Sequence, residues 1–433
     1  MGRMTETGRT RVAIACQGGG SHTAFTAGVL KRLLAAEELA GVEVVGLSGT
    51  SGGAICALLA WSALLDDDPA AAGRLLEAFW ADNAATTPLE RLVNAWVLWA
   101  ASLENLVALP AVSPHDTPTS VAALAELRAM LERRVDFGRF AVPGGDADPR
   151  PMLLVGAVDV LSGDFKAFNS RRDPITADTI LASAAIPNLF RAVRVGGGTY
   201  WDGLFSQNPP VRELVDTRPD ELWVIQVNPR RWDGEPRTMV EIADRRNELA
   251  GNRSLHQELG FIEKIDQLLE EGRLGDDGRY RQITVRVVEL SRSRLSRSLG
   301  TASKLNRDPA FIRDLIAYGE ARAAEFLAAL AFERAWRRRD PEAVLDCFAD
   351  DAELVSAPPF PDLGSLRGRR RVGRFVREHL TTDLQVDPTR KQVARERVTW
   401  TVRAHRDDPA SRVQGRAEAE LRDGRVTALR LGG

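Results

Sequence analysis

Gly49-Thr50-Ser51-Gly52-Gly53 is a run of small residues that separates two apolar segments of this chain. The apolar, β-branched residues 42–47 before it predict a buried strand, and residues 54–61 after it predict a buried helix. A small-residue turn between such a strand and helix is typical of the nucleophile elbow, G-x-S-x-G. Ser51 would then lie at a helix N-terminus, where free N–H groups favour negative charge. A plain glycine-rich turn is the alternative.

A second glycine loop, Gly18-Gly19-Gly20, lies between a predicted strand at residues 11–16 and a predicted helix at 23–39. The dinucleotide fingerprint fails because Thr23 replaces its third glycine, and the phosphate loop lacks its Gly-Lys pair. The loop glycines and Gly52 could instead direct their N–H groups at an alkoxide, as in an oxyanion hole. Parallel strands would bring loop and elbow to one sheet edge.

An aspartate follows a predicted hairpin farther along the chain. Residues 152–159 predict a buried strand, residues 180–185 a helix, and residues 193–201 a hairpin that leads into Asp202-Gly203. Asp202 is a turn residue by default, but this is also where a catalytic carboxylate would lie. Strands at 222–227 and 283–288 and a helix from 309 to about 331 complete the predicted domain.

Length and composition favour a multidomain globular protein. The 433 residues predict two or three domains, and a net charge of −2 argues against a nucleic-acid partner. The three cysteines do not form a disulfide framework, and the first residues lack the apolar core of a signal peptide. We therefore expect a cytoplasmic location, with secretion by a non-standard route left open. Nothing in the sequence implies a metal or a cofactor.

The segment from 89 to 112 is unusually apolar and carries two tryptophans, Trp96 and Trp99. Its uninterrupted apolar run is too short to span a bilayer. A pair of core helices is the favoured interpretation. A lid, or an interfacial helix that touches lipid, is the alternative.

Residues 10–328 resemble the patatin-like phospholipases and acyl hydrolases. The resemblance rests on three ordered motifs, Gly18-Gly19-Gly20, Gly49-Thr50-Ser51-Gly52-Gly53 and Asp202-Gly203, and on Ala184-Ala185-Ile186-Pro187. It implies a three-layer α/β/α fold and a Ser–Asp dyad without a catalytic histidine. Ser51 would be the nucleophile and Asp202 the base. Gly18, Gly19, Gly20 and Gly52 would form the oxyanion hole.

The chain departs from the family at His22 and Thr23, where Arg or Lys and then Gly usually follow the loop. The fixed charge near the oxyanion is thus replaced by a group that titrates near neutrality. A Ser-His-Asp hydrolase is the competing enzyme, since His256 follows Asp202 in the required chain order. The polar helical surroundings of His256 favour a surface position instead.

From residue 329 the pattern restarts with helices and continues with strands at 392–402, 412–421 and 425–431, which predicts an α+β unit. Residues 329–433 resemble the nuclear-transport-factor-2-like superfamily, which implies a curved sheet around a pocket. The helix–Asp340-Pro341–helix opening and the Phe348-Ala349-Asp350-Asp351-Ala352 step carry this resemblance. No acid–base constellation stands out in residues 329–433. The candidate functional residues of this region are Asp350, His379, Trp400 and His405.

The sequence thus predicts an acyl hydrolase domain at residues 1–328 and a small α+β domain at 329–433. The expected activity is cleavage of carboxylic esters of lipids. A binding or scaffold protein whose site has decayed around His22 and Thr23 is the alternative. The expected partner is a lipid or other acyl-ester substrate. Peripheral membrane contact and a homodimer through the C-terminal domain are further hypotheses.

Overall fold

The computed structural model describes residues 9–37, 41–103, 113–115, 118–187, 189–232, 234–274, 280–291, 299–358, 360, 364–380, 385–394, 397–405, 413–422 and 424–432. The chain forms two compact units. The first contains Met1–Ile283 and Leu290–Glu320, and the second contains Thr284–Glu289 and Ala321–Gly433. A domain boundary between residues 328 and 329 stays a prediction.

The first unit is a mixed sheet flanked by helices, the three-layer α/β/α architecture that the sequence predicts. In chain order its elements are β1 (Thr10–Cys16), α1 (Ala24–Leu34), β2 (Val42–Thr50), α2 (Gly52–Leu65), α3 (Ala71–Asn83), α4 (Pro88–Leu103), α5 (Pro118–Glu132), β3 (Met152–Asp159), β4 (Phe165–Asn169), α6 (Ala177–Ser183), β5 (Val193–Val195), β6 (Gly198–Asp202), β7 (Glu221–Gln226) and α7 (Met239–Glu270).

The strands of this unit lie in the order β5-β6-β3-β2-β1-β7, with β4 paired to β3. β1 pairs in parallel with β2 and β7, and β2 pairs in parallel with β3. β6 returns antiparallel to β3. The central strands are apolar because both of their faces are covered, and α2 is buried over nearly its whole length. The predicted strand at 152–159 and the predicted hairpin at 193–201 are confirmed.

The second unit contains β8 (Thr284–Glu289) and the later part of α8 (Pro309–Arg337), followed by α9 (Pro341–Asp346), β9 (Phe348–Ser356), β10 (Gly364–Arg367), α10 (Arg369–Leu380), β11 (Gln385–Ala394), β12 (Arg397–His405), β13 (Val413–Arg422) and β14 (Arg425–Gly432). A sheet in the order β10-β9-β14-β13-β12-β11 forms its centre. The Asp340 side chain caps α9 by accepting from the Ala343 N–H, with Pro341 in the first turn, as the sequence predicts.

The structure corrects one strand prediction in the second unit. Residues 392–402 were expected to form one strand, but they contain the end of β11 and the start of β12, which pair antiparallel. The local sequence carries no glycine or asparagine to mark the reversal between these strands.

No helix among the described residues is long and apolar enough to cross a membrane.

Candidate active site

The sheet register brings the three predicted motifs together. Cys16, two residues before the glycine loop, pairs with Gly49 at the start of the elbow. On the other side of β2, Thr50 pairs with Gly156, and the next residue of β3, Ala157, pairs with Asp202. Residues separated by more than 150 positions in sequence therefore meet at one sheet edge.

Ser51 occupies a strained turn between β2 and α2. Its φ of 56° lies in the left-handed region, which is unfavourable for a residue with a side chain. The strain persists because the surroundings fix this peptide: the Ser51 N–H donates to Ser183 Oγ at 2.9 Å, and the Ser51 carbonyl accepts from the N–H of Ala54 and Ile55. Ser51 is 6% exposed and lies directly before the first helical residue, Gly52. This is the geometry that the elbow motif predicts.

Asp202 lies at the end of β6 and is 1% exposed. One carboxylate oxygen accepts from the Leu204 N–H at 2.8 Å. Burial raises the pKa of Asp202 to about 7, although the Leu204 N–H and the nearby Ser51 side chain act in the opposite direction. A carboxyl group with a pKa near neutrality can take up and release a proton under physiological conditions.

Ser183 at the end of α6 is a site residue that the sequence analysis missed. Besides accepting from the Ser51 N–H, its hydroxyl donates to the Gly156 carbonyl at 2.6 Å. It thus ties the elbow to β3. In the sequence, the feature that could have pointed to Ser183 is the family-like motif at residues 184–187, which begins directly after it.

The structure corrects the role predicted for Gly18. Its N–H donates to Asn208 Oδ1 at 2.6 Å, and its carbonyl accepts from the side chains of Asn208 and Asn228. Because its donor is already engaged, Gly18 anchors the loop instead of facing an alkoxide. Both asparagines are fully buried, so this amide frame is held rigidly beneath the loop.

Gly19, Gly20 and Gly52 remain as candidate donors of N–H groups. Gly20 has a φ of +57° and opens a short 3₁₀ helix, and Gly52 opens α2, so both lie where helical N–H groups lack partners within the helix. A Cβ on Gly20 would come within 2.2 Å of the Lys304 carbonyl oxygen. One on Gly52 would come within 2.1 Å of Thr23 Oγ1. The two turns are therefore packed closely together.

His22 and Lys304 occupy unexpected positions around the loop. His22 is buried, its Nε2 lies 2.8 Å from Ser303 Oγ, and its ring packs edge-on against Phe311. Lys304, the next residue after Ser303, donates from Nζ to Asn228 Oδ1 at 2.7 Å. Lys304 thus contacts Asn228, one of the two asparagines that hold Gly18, although it lies more than 280 residues after the glycine loop in sequence.

His256, the histidine of the competing Ser-His-Asp arrangement, does not join this site. His256 is exposed on α7, as predicted, and no hydrogen bond within the described part of the chain links it to Ser51 or Asp202. Asp350 is exposed on β9. The side chains of His379, Trp400 and His405 lie outside the described residues.

Solved structures similar to this chain match about a quarter of its length. A nuclear-transport-factor-2-like protein of unknown function from Cytophaga hutchinsonii is 12% identical, with 25% of this chain and 87% of that chain covered and a TM-score of 0.21. One from Mesorhizobium loti is 21% identical, with 25% and 89% covered and a TM-score of 0.24. A de novo designed protein with a curved β-sheet is 19% identical, with 25% and 84% covered and a TM-score of 0.22. No curated protein matches the chain.

Two family models match. Residues 14–215, which include all three motifs, match the model described as patatin-like phospholipase. Residues 329–429 match the model described as SnoaL-like domain. The chain therefore contains a patatin-like phospholipase domain at residues 14–215, followed by a SnoaL-like domain at residues 329–429.

Proposed function

We propose that this protein is a serine acyl hydrolase that cleaves carboxylic esters of lipids, with Ser51 as nucleophile and Asp202 as base. The family match supports lipid acyl hydrolysis in general. The observation that carries the finer proposal is the position of Ser51, on its strained turn, beside the buried carboxylate of Asp202, whose pKa the Ser51 side chain lowers. A serine hydroxyl becomes a useful nucleophile when an adjacent base can accept its proton.

In the first half of the reaction, Asp202 takes the Ser51 proton while Oγ attacks the ester carbonyl carbon. The carbonyl oxygen gains the negative charge, which the N–H groups of Gly19, Gly20 and Gly52 would stabilise. The tetrahedral intermediate collapses, the bond to the alcohol oxygen breaks, and Asp202 returns its proton to the leaving alcohol. An acyl ester on Ser51 remains.

In the second half, Asp202 takes a proton from water as the water oxygen attacks the acyl ester. Collapse of this second intermediate breaks the bond to Ser51 Oγ, which recovers a proton from Asp202, and the free fatty acid leaves. One group thus acts alternately as base and acid, for which a pKa near the working pH is well suited.

The pH dependence of hydrolysis tests the role of Asp202. Only the ionised carboxylate can accept the Ser51 proton, and burial raises its pKa to about 7. We expect kcat/KM for a soluble ester to rise tenfold per pH unit at low pH and to level off above about pH 7. A profile that levels off near pH 4 would contradict this assignment, because it would indicate an ordinary solvated carboxylate.

Lys304 offers a test of the loop frame. Lys304→Met removes the hydrogen bond to Asn228, which in turn holds Gly18. We expect kcat to fall about tenfold with little change in KM, because small displacements of catalytic groups cost rate more than binding. Lys304→Arg should recover part of the loss, and Lys264→Met, at an exposed lysine on α7, should have no effect. Equal losses in the two methionine variants would rule out a role for Lys304.

A fluorophosphonate probe tests the proposal as a whole. Such probes react with activated serine hydroxyls, so labelling should map to Ser51 and disappear in Asp202→Asn. Fatty-acid release from a panel of phospholipids and simple esters would then identify the substrate class. Absence of both labelling and ester cleavage in folded protein would favour the alternative of a decayed binding or scaffold protein.

A further inference from the structure

Helix α4 presents a large apolar surface to solvent, which is unusual for a helix on a globular protein. Five large apolar side chains project into solvent and are between 51% and 70% exposed: Leu89, Leu92, Val93, Trp96 and Trp99. Their spacing places them on one side of the helix, and we call this surface the α4 face. The structure therefore overturns the favoured prediction of core packing for the described part of the segment 89–112.

The side of α4 that faces the protein is held by polar contacts. Asn94 Nδ2 donates to Asn306 Oδ1 at 3.1 Å, and Asn94 Oδ1 accepts from the Arg307 N–H at 2.8 Å. Glu90 accepts from the N–H groups of Thr86 and Thr87 at the start of the helix. A helix that hydrogen-bonds inward and presents tryptophan outward is oriented toward an apolar partner.

The size and charge of the α4 face indicate what that partner is. Its side chains extend over about 15 Å of helix, on the order of a few hundred Å², whereas a stable protein partner needs roughly 800 Å² on each side. A membrane surface has no such requirement. The only charged residues of α4 are Glu90 and Arg91, which cancel, so anionic headgroups are not needed. Tryptophan is the residue best suited to the boundary between headgroups and acyl chains.

The α4 face is also linked to the candidate active site. Asn306 and Arg307, which hold α4, lie two and three residues after Lys304. Ser303 and Lys304 in turn contact His22 and Asn228 beside the glycine loop. One short segment, residues 303–307, thus supports both the helix and the loop. A lipid layer that received α4 would therefore contact the helix held by the same segment that supports the glycine loop.

We propose that the α4 face inserts into the surface of a zwitterionic lipid bilayer and lies in its interface, which brings the active site to lipid esters. The inference rests on the proposed function only for the identity of the substrate. The membrane contact itself depends on the exposed side chains and applies equally to an inactive protein.

Vesicle flotation with full-length Ser51→Ala protein tests binding separately from catalysis. The probe is vesicles of pure phosphatidylcholine. We expect this protein to float with the vesicles. Adding Trp96→Ser and Trp99→Ser should weaken its partitioning into the vesicles by at least tenfold, because two aromatic side chains no longer insert into the bilayer. Binding should persist at about 0.5 M salt, because the contact is apolar and not an ion pair. Phe261→Ser with Leu161→Ser, which removes two other exposed apolar side chains, is the matched control and should float like the parent.

Three results would overturn the proposal. The first is that the tryptophan pair and the control pair float equally, and the second is that binding requires anionic lipid and disappears in salt. The third is that Trp96 and Trp99 are required for a dimer seen by light scattering and not for vesicle binding, so that a second copy covers the α4 face.

In protein with Ser51 intact, the Trp96→Ser and Trp99→Ser variant should retain soluble-ester hydrolysis and lose vesicle-lipid hydrolysis. Ester cleavage by the protein with Trp96 and Trp99 intact, without any binding to the vesicles, would contradict the α4 proposal alone. Vesicle binding without any ester cleavage would contradict the proposed function alone.

Discussion

Ser51→Ala is expected to lower ester hydrolysis by about a thousandfold or more while the protein stays folded. The substitution removes the only atom proposed to bond to the acyl carbon, and the Ser51 N–H, which donates to Ser183, is untouched. The elbow should therefore keep its shape. The measurement is kcat/KM on a short soluble ester, together with circular dichroism and urea unfolding to confirm folding.

Asp202→Asn should cause a loss of similar size, because an amide cannot accept the Ser51 proton. Since the two groups act as one unit, the double variant should lose little more than either single variant. Asp159→Asn is the matched control: Asp159 lies at the end of the neighbouring strand β3, and its carboxylate accepts from the N–H groups of Leu161 and Ser162. It should retain full activity. Near wild-type turnover by Ser51→Ala would show that the nucleophile lies elsewhere.

The second large effect concerns stability. Asp202→Asn should make the folded protein more stable at pH 8 by up to about 4 kcal/mol. Burial raises the folded-state pKa of Asp202 from 3.8 to about 7, so the folded state binds the proton more tightly than the unfolded chain does. Wild-type stability therefore falls as pH rises from about 4 to 7 and stays reduced above that range. The folded-state and unfolded-state pKa values differ by about three, and each unit corresponds to about 1.36 kcal/mol, so the expected gain in the free energy of unfolding is about 4 kcal/mol.

Urea unfolding at pH 4 and pH 8 measures this contribution. Asparagine resembles the protonated acid and can still accept from the Leu204 N–H, so Asp202→Asn should gain stability at pH 8 and little at pH 4. Asp159→Asn should behave in the opposite way, because backbone hydrogen bonds lower the pKa of Asp159 and favour its charged form. An equal gain at both pH values would show that the buried charge is not the cause.

The elements that depend on local pattern could be predicted from the sequence. The uninterrupted apolar run at residues 152–159 predicted a buried strand, which the structure confirms, and all three motifs lie within the range that matches the patatin-like phospholipases. Parallel pairing of successive strands then made it possible to predict that the glycine loop and the elbow share a sheet edge, which the register confirms. Where local signals were missing, as between β11 and β12, the prediction was wrong.

The groups that surround the motifs could be identified only from the tertiary structure. Spacing cannot reveal that Asn208 occupies the Gly18 N–H or that Ser303 lies against His22, because these contacts join residues 190 and 281 positions apart. The pKa of Asp202 depends mainly on burial by the whole fold, which outweighs the opposing effect of the Leu204 N–H two residues away. Helical periodicity likewise shows that α4 has an apolar stripe. Whether that stripe is covered depends on what the rest of the chain packs against it, and here Asn306 and Arg307 hold the opposite side of the helix.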